Sequence, residues 1–226
     1  MKIFVAGIGS GNYDLITVSA LEHAKFSDVI IVPVSRINTE GIAEKVIRHH
    51  LPEKIILPVY FPMIKSEANI NVIHEQLVSH DWTNIHNIFF PVLGDVMLYS
   101  TAEYLIDAFR RIDADIKTEF IPGVSAHSTA SACVKRFLAM RDEIFTVISG
   151  TAEPEKIISA LKASDCSAIY KPKAVKNLRD IIEASGHFSK IVRVDFAGIP
   201  ERERIIEGHD ALDDVDEYIS IILLWK

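Results

Sequence analysis

Cysteine is nearly absent: Cys133 and Cys166 are the only two, and no Cys-x-x-Cys pair occurs. Two thiols cannot build a disulfide scaffold or a thiolate zinc site, so a reducing compartment is expected. No run approaches the roughly eighteen uninterrupted apolar residues of a membrane-spanning helix, so no membrane association is expected. A basic tract is also missing, with 24 Lys and Arg against 31 Asp and Glu and a net charge of −7. Neutralising phosphates takes clustered cations, which argues against a nucleic-acid partner. The opening Lys2-Ile3-Phe4-Val5-Ala6 lacks the charged and apolar regions of a secretory signal, and a cytoplasmic location is expected. Histidines give no metal pattern either. His49 and His50 are adjacent, and neighbours on a helix diverge by about 100°. His74, His80 and His86 are scattered, so no protein-bound metal is expected.

What remains is ample core. The 226 residues are 49% hydrophobic, enough for one large domain or two smaller ones. Short apolar runs alternate with helical periodicity, which predicts an α/β protein. Strands are expected at 3–6, 29–34, 55–57 and 88–92 in the first half. They are expected at 118–121, 145–148, 168–170, 191–194 and 218–224 in the second. Thr101, Tyr104, Leu105, Ala108, Phe109 and Ile112 repeat at helical spacing. Ile42, Val46 and Ile47 form a partial stripe, and Val175, Leu178, Ile181 and Ile182 mark another helix. The segment 125–137 reads as a helix crowded with small residues, which allow close approach of a backbone or ligand. Asp113-Ala-Asp115 breaks the pattern. The expected domains are therefore 1–114 and 115–226.

Three strand-end loops could carry chemistry. The first is Gly7-Ile8-Gly9-Ser10-Gly11. It fails the G-x-G-x-x-G dinucleotide pattern because Asn12 stands where a glycine is needed. The second strand also ends Val34-Ser35-Arg36, without the acid that would hold a ribose hydroxyl. The same absence counts against methyltransferases with a Rossmann-like sheet. A tight turn needing glycine and a backbone-lined ligand loop both remain open readings. The second loop is Leu93-Gly94-Asp95-Val96-Met97-Leu98-Tyr99-Ser100-Thr101, where Ser100 or Thr101 fits a helix cap, a ligand contact or both. The third is Pro122-Gly123-Val124-Ser125-Ala126. Ligands of open α/β sheets bind beyond the carboxyl ends of strands, so these loops suggest one cleft.

These segments resemble the tetrapyrrole methylases, which use S-adenosylmethionine in cobalamin and sirohaem synthesis. The family motif G-x-G-P-G-D-P-E-L-[LI]-T aligns without a gap on Gly7 to Thr17. Its G-D-P-x-x-Y-[SG] aligns on Gly94 to Ser100, and its P-G-[VI]-[ST]-[SA] on Pro122 to Ala126. Order and spacing agree along the whole chain. Phe61-Pro62-Met63, the Met97–Thr101 form of the second loop, Lys171, Glu203-Arg204-Ile205 and Tyr218-Ile219-Ser220 resemble the branch that methylates precorrin-2 at C(20). Ser10, Asn12 and Val96 depart from the motif, and loss of proline removes a constraint on each loop.

The resemblance implies two α/β domains of the tetrapyrrole methylase type with the ligand cleft between them. The first would carry the tetrapyrrole side with the first two glycine loops, and the second would complete the methyl-donor site. Donor-binding residues carried over by motif are Gly9, Ser10, Leu93, Gly94, Asp95, Leu98, Ser100, Thr101, Ser125, Ala126 and Ser149. Alignment of donor and acceptor dominates such a transfer, so no triad is required. Asp95, Tyr99 and His127 are candidates for the proton acceptor, although a simple hydrogen bond also explains a histidine such as His127. Arg36, Lys65, Lys171, Arg141 and Lys173 are candidate partners for the substrate carboxylates, with Met63 beside it. The implied partners are a tetrapyrrole and a second copy in a homodimer. Alternatives are methylation of another tetrapyrrole and a non-catalytic binding paralogue.

Overall fold

The computed structural model describes residues 1–36, 39–62 and 66–226. Met63 and Lys65, named above as substrate candidates, lie outside the described residues. The chain forms two units, Met1–Ser125 and Ala126–Lys226.

The first unit is a parallel sheet covered on both faces. Its strands are β1 (Lys2–Gly7), β2 (Val29–Val34), β3 (Ile56–Tyr60), β4 (Asn87–Val92) and β5 (Lys117–Ile121), in the order β3-β2-β4-β1-β5. Alternate side chains of a strand point to opposite faces, so each apolar strand feeds two cores. Ile3, Val5, Ile31, Ile88 and Phe90 pack on one face with Ile73, Leu77, Leu105 and Phe109 from α3 (Ser66–Leu77) and α4 (Ala102–Arg110). Phe4, Ala6, Ile30, Val32 and Phe89 pack on the other with Ala20 and Ala24 of α1 (Val18–Phe26) and Val46 and Ile47 of α2 (Ile42–His50). Thr17, the last residue of the first motif, caps α1 by accepting from the Ala20 amide at 3.1 Å.

The strand expected to open the second half, β5, is instead the edge strand beside β1. The Asp113-Ala-Asp115 break that suggested a linker is a turn. Asp113 accepts from the Asp115 amide at 3.1 Å, and its carboxylate lies 3.6 Å from the Met1 amino group.

The second unit holds a mixed sheet of β6 (Phe145–Ser149), β7 (Cys166–Tyr170), β8 (Lys190–Asp195), β9 (Arg204–Glu207) and β10 (Ser220–Trp225), ordered β6-β7-β10-β8-β9. Only β6 and β7 pair in parallel. Its helices are α5 (Ala126–Cys133), α6 (Pro154–Ala163) and α7 (Leu178–Ala184). Helix α5 is shorter than its composition suggests, because Lys135 takes a left-handed φ of 54° that ends it. Asn177, at φ 53°, likewise leaves Val175 outside α7. Among the described residues, no helix is long and apolar enough to cross a membrane.

Candidate functional site

Strands β4, β1 and β5 are neighbours and run in parallel, so the loops that follow them leave from one edge of the sheet. Those loops are the three motifs. Their backbones meet without intervening side chains. The Ile8 amide donates to the Val92 carbonyl at 2.9 Å, and the Gly94 amide donates to the Gly9 carbonyl at 2.6 Å. A Cβ on Gly7 would lie 2.6 Å from the Gly94 oxygen and 2.7 Å from the Gly123 nitrogen. One on Gly123 would lie 2.5 Å from both the Gly7 carbonyl carbon and the Gly94 oxygen. Each motif thus supplies one glycine to a three-way backbone contact that admits no side chain. The three loops are therefore held backbone to backbone at one edge of the sheet.

Asp95 joins two of the loops. Its Oδ1 accepts from the Met97 amide at 2.8 Å within its own loop, and its Oδ2 accepts from the Gly123 amide of the third motif at 3.0 Å. Ser100 Oγ accepts from the Ala102 amide at 3.0 Å and supports the start of α4, whereas Thr101, at the cap position, makes no capping bond with its side chain. Leu93 and Leu98 are half-buried. Tyr99 holds a left-handed φ of 52°, a costly conformation for a bulky residue, and Met97 beside it is 70% exposed. Ser10 is buried in the first loop, and its hydroxyl has no hydrogen-bond partner among the described residues. A buried orphan hydroxyl on the first of these loops fits a polar ligand at this edge.

Ser125 closes the first unit and is half-buried. In the second unit, Ala126 opens α5, and the following His127 meets Tyr170 at the end of β7. The Tyr170 oxygen lies 2.8 Å from His127 Nδ1 and accepts from the His127 amide at 3.2 Å. Ser149 stands opposite Tyr170 in register, and its hydroxyl is engaged by Thr151 at 2.7 Å. Lys171 follows Tyr170 at a left-handed φ of 54°. The second unit therefore groups His127, Ser149 and Lys171 around Tyr170. The sequence reading missed Tyr170, whose pairing with His127 spans 43 residues and leaves no local signal.

The remaining candidates are dispersed. Arg36 is exposed just beyond β2. Arg141 is exposed on a loop, and Lys173 donates to the Asp216 carbonyl. Arg204 serves the sheet, lying 3.1 Å from the buried Asp195 carboxylate. Glu203 accepts from the Gly198 amide at 2.7 Å and from the Cys133 thiol at 3.0 Å. Burial and that carboxylate push the Cys133 thiol up to about 11, and burial pushes Cys166 up to about 12, so neither is a ready nucleophile. Among the described residues, no group of three His, Cys, Asp or Glu is placed to hold a metal ion.

The sequence matches the model of the tetrapyrrole (corrin/porphyrin) methylases over residues 2–211. The chain belongs to that family. Among its relatives is the cobalt-precorrin-2 C(20)-methyltransferase of Salmonella typhimurium, 26% identical over 231 residues, spanning 100% of this chain and 96% of the relative. A protein of Methanocaldococcus jannaschii named "Probable cobalt-precorrin-2 C(20)-methyltransferase" is 25% identical over 228 residues, 99% of this chain and 95% of the relative. Among solved structures, uroporphyrin-III C-methyl transferase from Thermus thermophilus complexed with S-adenyl homocysteine shares the fold. Its TM-score is 0.71 at 16% identity, covering 100% of this chain and 98% of that one.

Two departures from the tetrapyrrole methylase motifs, Val96 and Asn12, have local explanations. Val96, in place of a proline, is 3% exposed and packs into the core that holds Ala102 and Leu105. Burying a valine contributes about 1.5 kcal/mol or more, so packing anchors the loop where a ring would otherwise stiffen it. Asn12, in place of aspartate, accepts from the Asp14 amide at 2.9 Å, a bond that either side chain makes.

Proposed function

We propose that this chain transfers a methyl group from S-adenosylmethionine to the C(20) meso carbon of precorrin-2 or its cobalt-containing form, in cobalamin biosynthesis. The observation that carries this reading is the meeting of Gly7, Gly94 and Gly123 at one sheet edge, in a chain similar along its whole length to named C(20)-methyltransferases.

Gly9, Ser10, Leu93, Gly94, Asp95, Leu98, Ser100 and Thr101 would hold the donor, chiefly through main-chain groups. Ser125, Ala126 and Ser149 are the further donor-binding residues that the motifs carry over. The donor, when bound, supplies a methyl on a sulfonium, already a strong electrophile. The residues of the chain therefore contribute alignment and exclusion of water more than activation. As the carbon–sulfur bond breaks and the carbon–carbon bond forms, the acceptor carbon sheds a proton. Asp95 is poorly suited to take it, since both its oxygens already accept backbone amides. Tyr99 and His127 remain the candidates, and Arg36 and Lys171 the candidate partners of the substrate carboxylates. The reading includes a cytoplasmic homodimer.

Titration calorimetry with S-adenosylhomocysteine, run beside NAD, tests the donor site. Saturable binding of S-adenosylhomocysteine with one site per chain, and none of NAD, is expected. No binding of S-adenosylhomocysteine, either alone or with the tetrapyrrole present, would overturn the reading.

A further inference from the structure

The adjacent His49 and His50 gave no metal pattern in the sequence, and both reach the first motif loop. They close α2, and the next element they touch is the 3-10 turn Tyr13–Leu15 inside that loop. The His49 ring stacks on the Tyr13 ring, with centroids 4.2 Å apart and planes 12° from parallel. The His50 ring meets the His49 ring edge-on at 4.9 Å and 87°. His50 Nε2 lies 2.8 Å from the Tyr13 carbonyl oxygen. A carbonyl oxygen can only accept, so His50 carries its hydrogen on Nε2. One histidine thus holds the side chain of Tyr13 and the other its backbone.

The contact continues to the donor loops. Leu15, at the end of the same turn, packs so closely on Gly9 that a Cβ there would lie 2.6 Å from the Leu15 Cβ. Gly9 in turn accepts from the Gly94 amide of the second motif at 2.6 Å. Contacts therefore run unbroken from the end of α2 through Tyr13, Leu15 and Gly9 to Gly94, all within the first unit.

The aligned motif carries proline at the positions of Ser10 and Tyr13, and this chain has neither. Proline would suit position 13. Asn12 before it is extended at φ −73° and ψ 133°, as a residue preceding proline prefers, and Tyr13 opens the turn, where proline is favoured. We propose that Tyr13, His49 and His50 form a latch that replaces this lost stiffness, making both histidines positioning residues for the first donor loop. The inference rests on the donor-binding role assigned above. An unlatched loop spends part of its time out of the binding geometry, and apparent affinity falls by that fraction.

The test compares the unaltered protein with His50→Ala, Tyr13→Ala, Tyr13→Pro and the double variant Tyr13→Pro/His50→Ala. Two readouts are hydrogen–deuterium exchange of the ligand-free protein at the Leu15 and Gly94 amides and calorimetric affinity for S-adenosylhomocysteine. His50→Ala and Tyr13→Ala are expected to speed exchange at both amides and to weaken binding about fivefold. Their melting temperatures should stay within about 4 °C of the unaltered protein. Tyr13→Pro should bind within about twofold of the unaltered protein and be insensitive to loss of His50, because the ring supplies the order that the latch supplied. Unchanged exchange in His50→Ala, or failure of Tyr13→Pro to restore exchange and affinity in the double variant, would overturn the latch. Absence of binding by the unaltered protein would instead overturn the donor-site reading, while exchange alone would still decide the latch.

Discussion

Replacing Gly123 with alanine is expected to cost about 3 kcal/mol of stability and to abolish binding of S-adenosylhomocysteine. The new methyl would sit 2.5 Å from the Gly7 carbonyl carbon and the Gly94 oxygen, and 2.6 Å from the Gly7 Cα. All three are main-chain atoms, so no side chain can rotate away. Gly7 ends a strand hydrogen-bonded on both sides, to β4 and to β5. The third motif must therefore move off the other two, which takes the Gly123 amide away from Asp95. Gly41→Ala serves as the control. Among the described residues, a Cβ at position 41 meets only the Pro33 oxygen at an ordinary 3.5 Å, and its φ of −80° suits any residue. It should change stability by less than about 1 kcal/mol. Urea denaturation of both variants, with calorimetry on whichever folds, checks the pair.

Asp95→Ala is expected to weaken S-adenosylhomocysteine binding roughly tenfold or more and to cost about 2 kcal/mol, because it removes two charge-assisted bonds to backbone amides. The informative comparison is Asp95→Asn. Its single carbonyl oxygen can serve either the Met97 or the Gly123 amide, and its amino group then faces the other donor. If Asp95 staples the loops, Asp95→Asn loses donor affinity and its turnover at saturating donor falls little. A proton acceptor would behave oppositely, with donor affinity kept and turnover down by about 100-fold or more. Steady-state kinetics against donor concentration separates the two outcomes.

Most strands were legible because apolar runs bounded by turn residues leave few other readings, and β2 matches its expected limits of 29 and 34. Strand β9 was missed because Ile206 alone of its residues is half-buried and the others are exposed, so no alternation marks it. Helix α1 buries only Ala20 and Ala24, and α6 only Ile157 and Leu161, stripes too thin to register as periodicity. The misplacement of β5 had a different origin. Two acidic residues around an alanine read equally well as a linker and as a turn, and the pairing with β1 that decides between them is non-local.

The site divides along the same line. The three loops were legible because glycine at a strand end is itself the signal of close backbone approach, and their convergence follows from strand order. The bonds that organise them were not. Asp95 to Gly123 spans 28 residues, and His50 to Tyr13 spans 37. Nothing in the helical pattern of α2 announces that its last two residues grip a loop from a different part of the sheet.

The methyl acceptor itself is read by carbon-13 NMR of the tetrapyrrole after anaerobic incubation of this protein with precorrin-2 and, separately, with cobalt-precorrin-2, each with S-adenosylmethionine labelled in its methyl group. One new labelled methyl, bonded to the meso carbon C(20), is expected on at least one of the two. A labelled methyl on any other carbon, or none on either tetrapyrrole when the donor is shown to bind, would overturn the C(20) assignment.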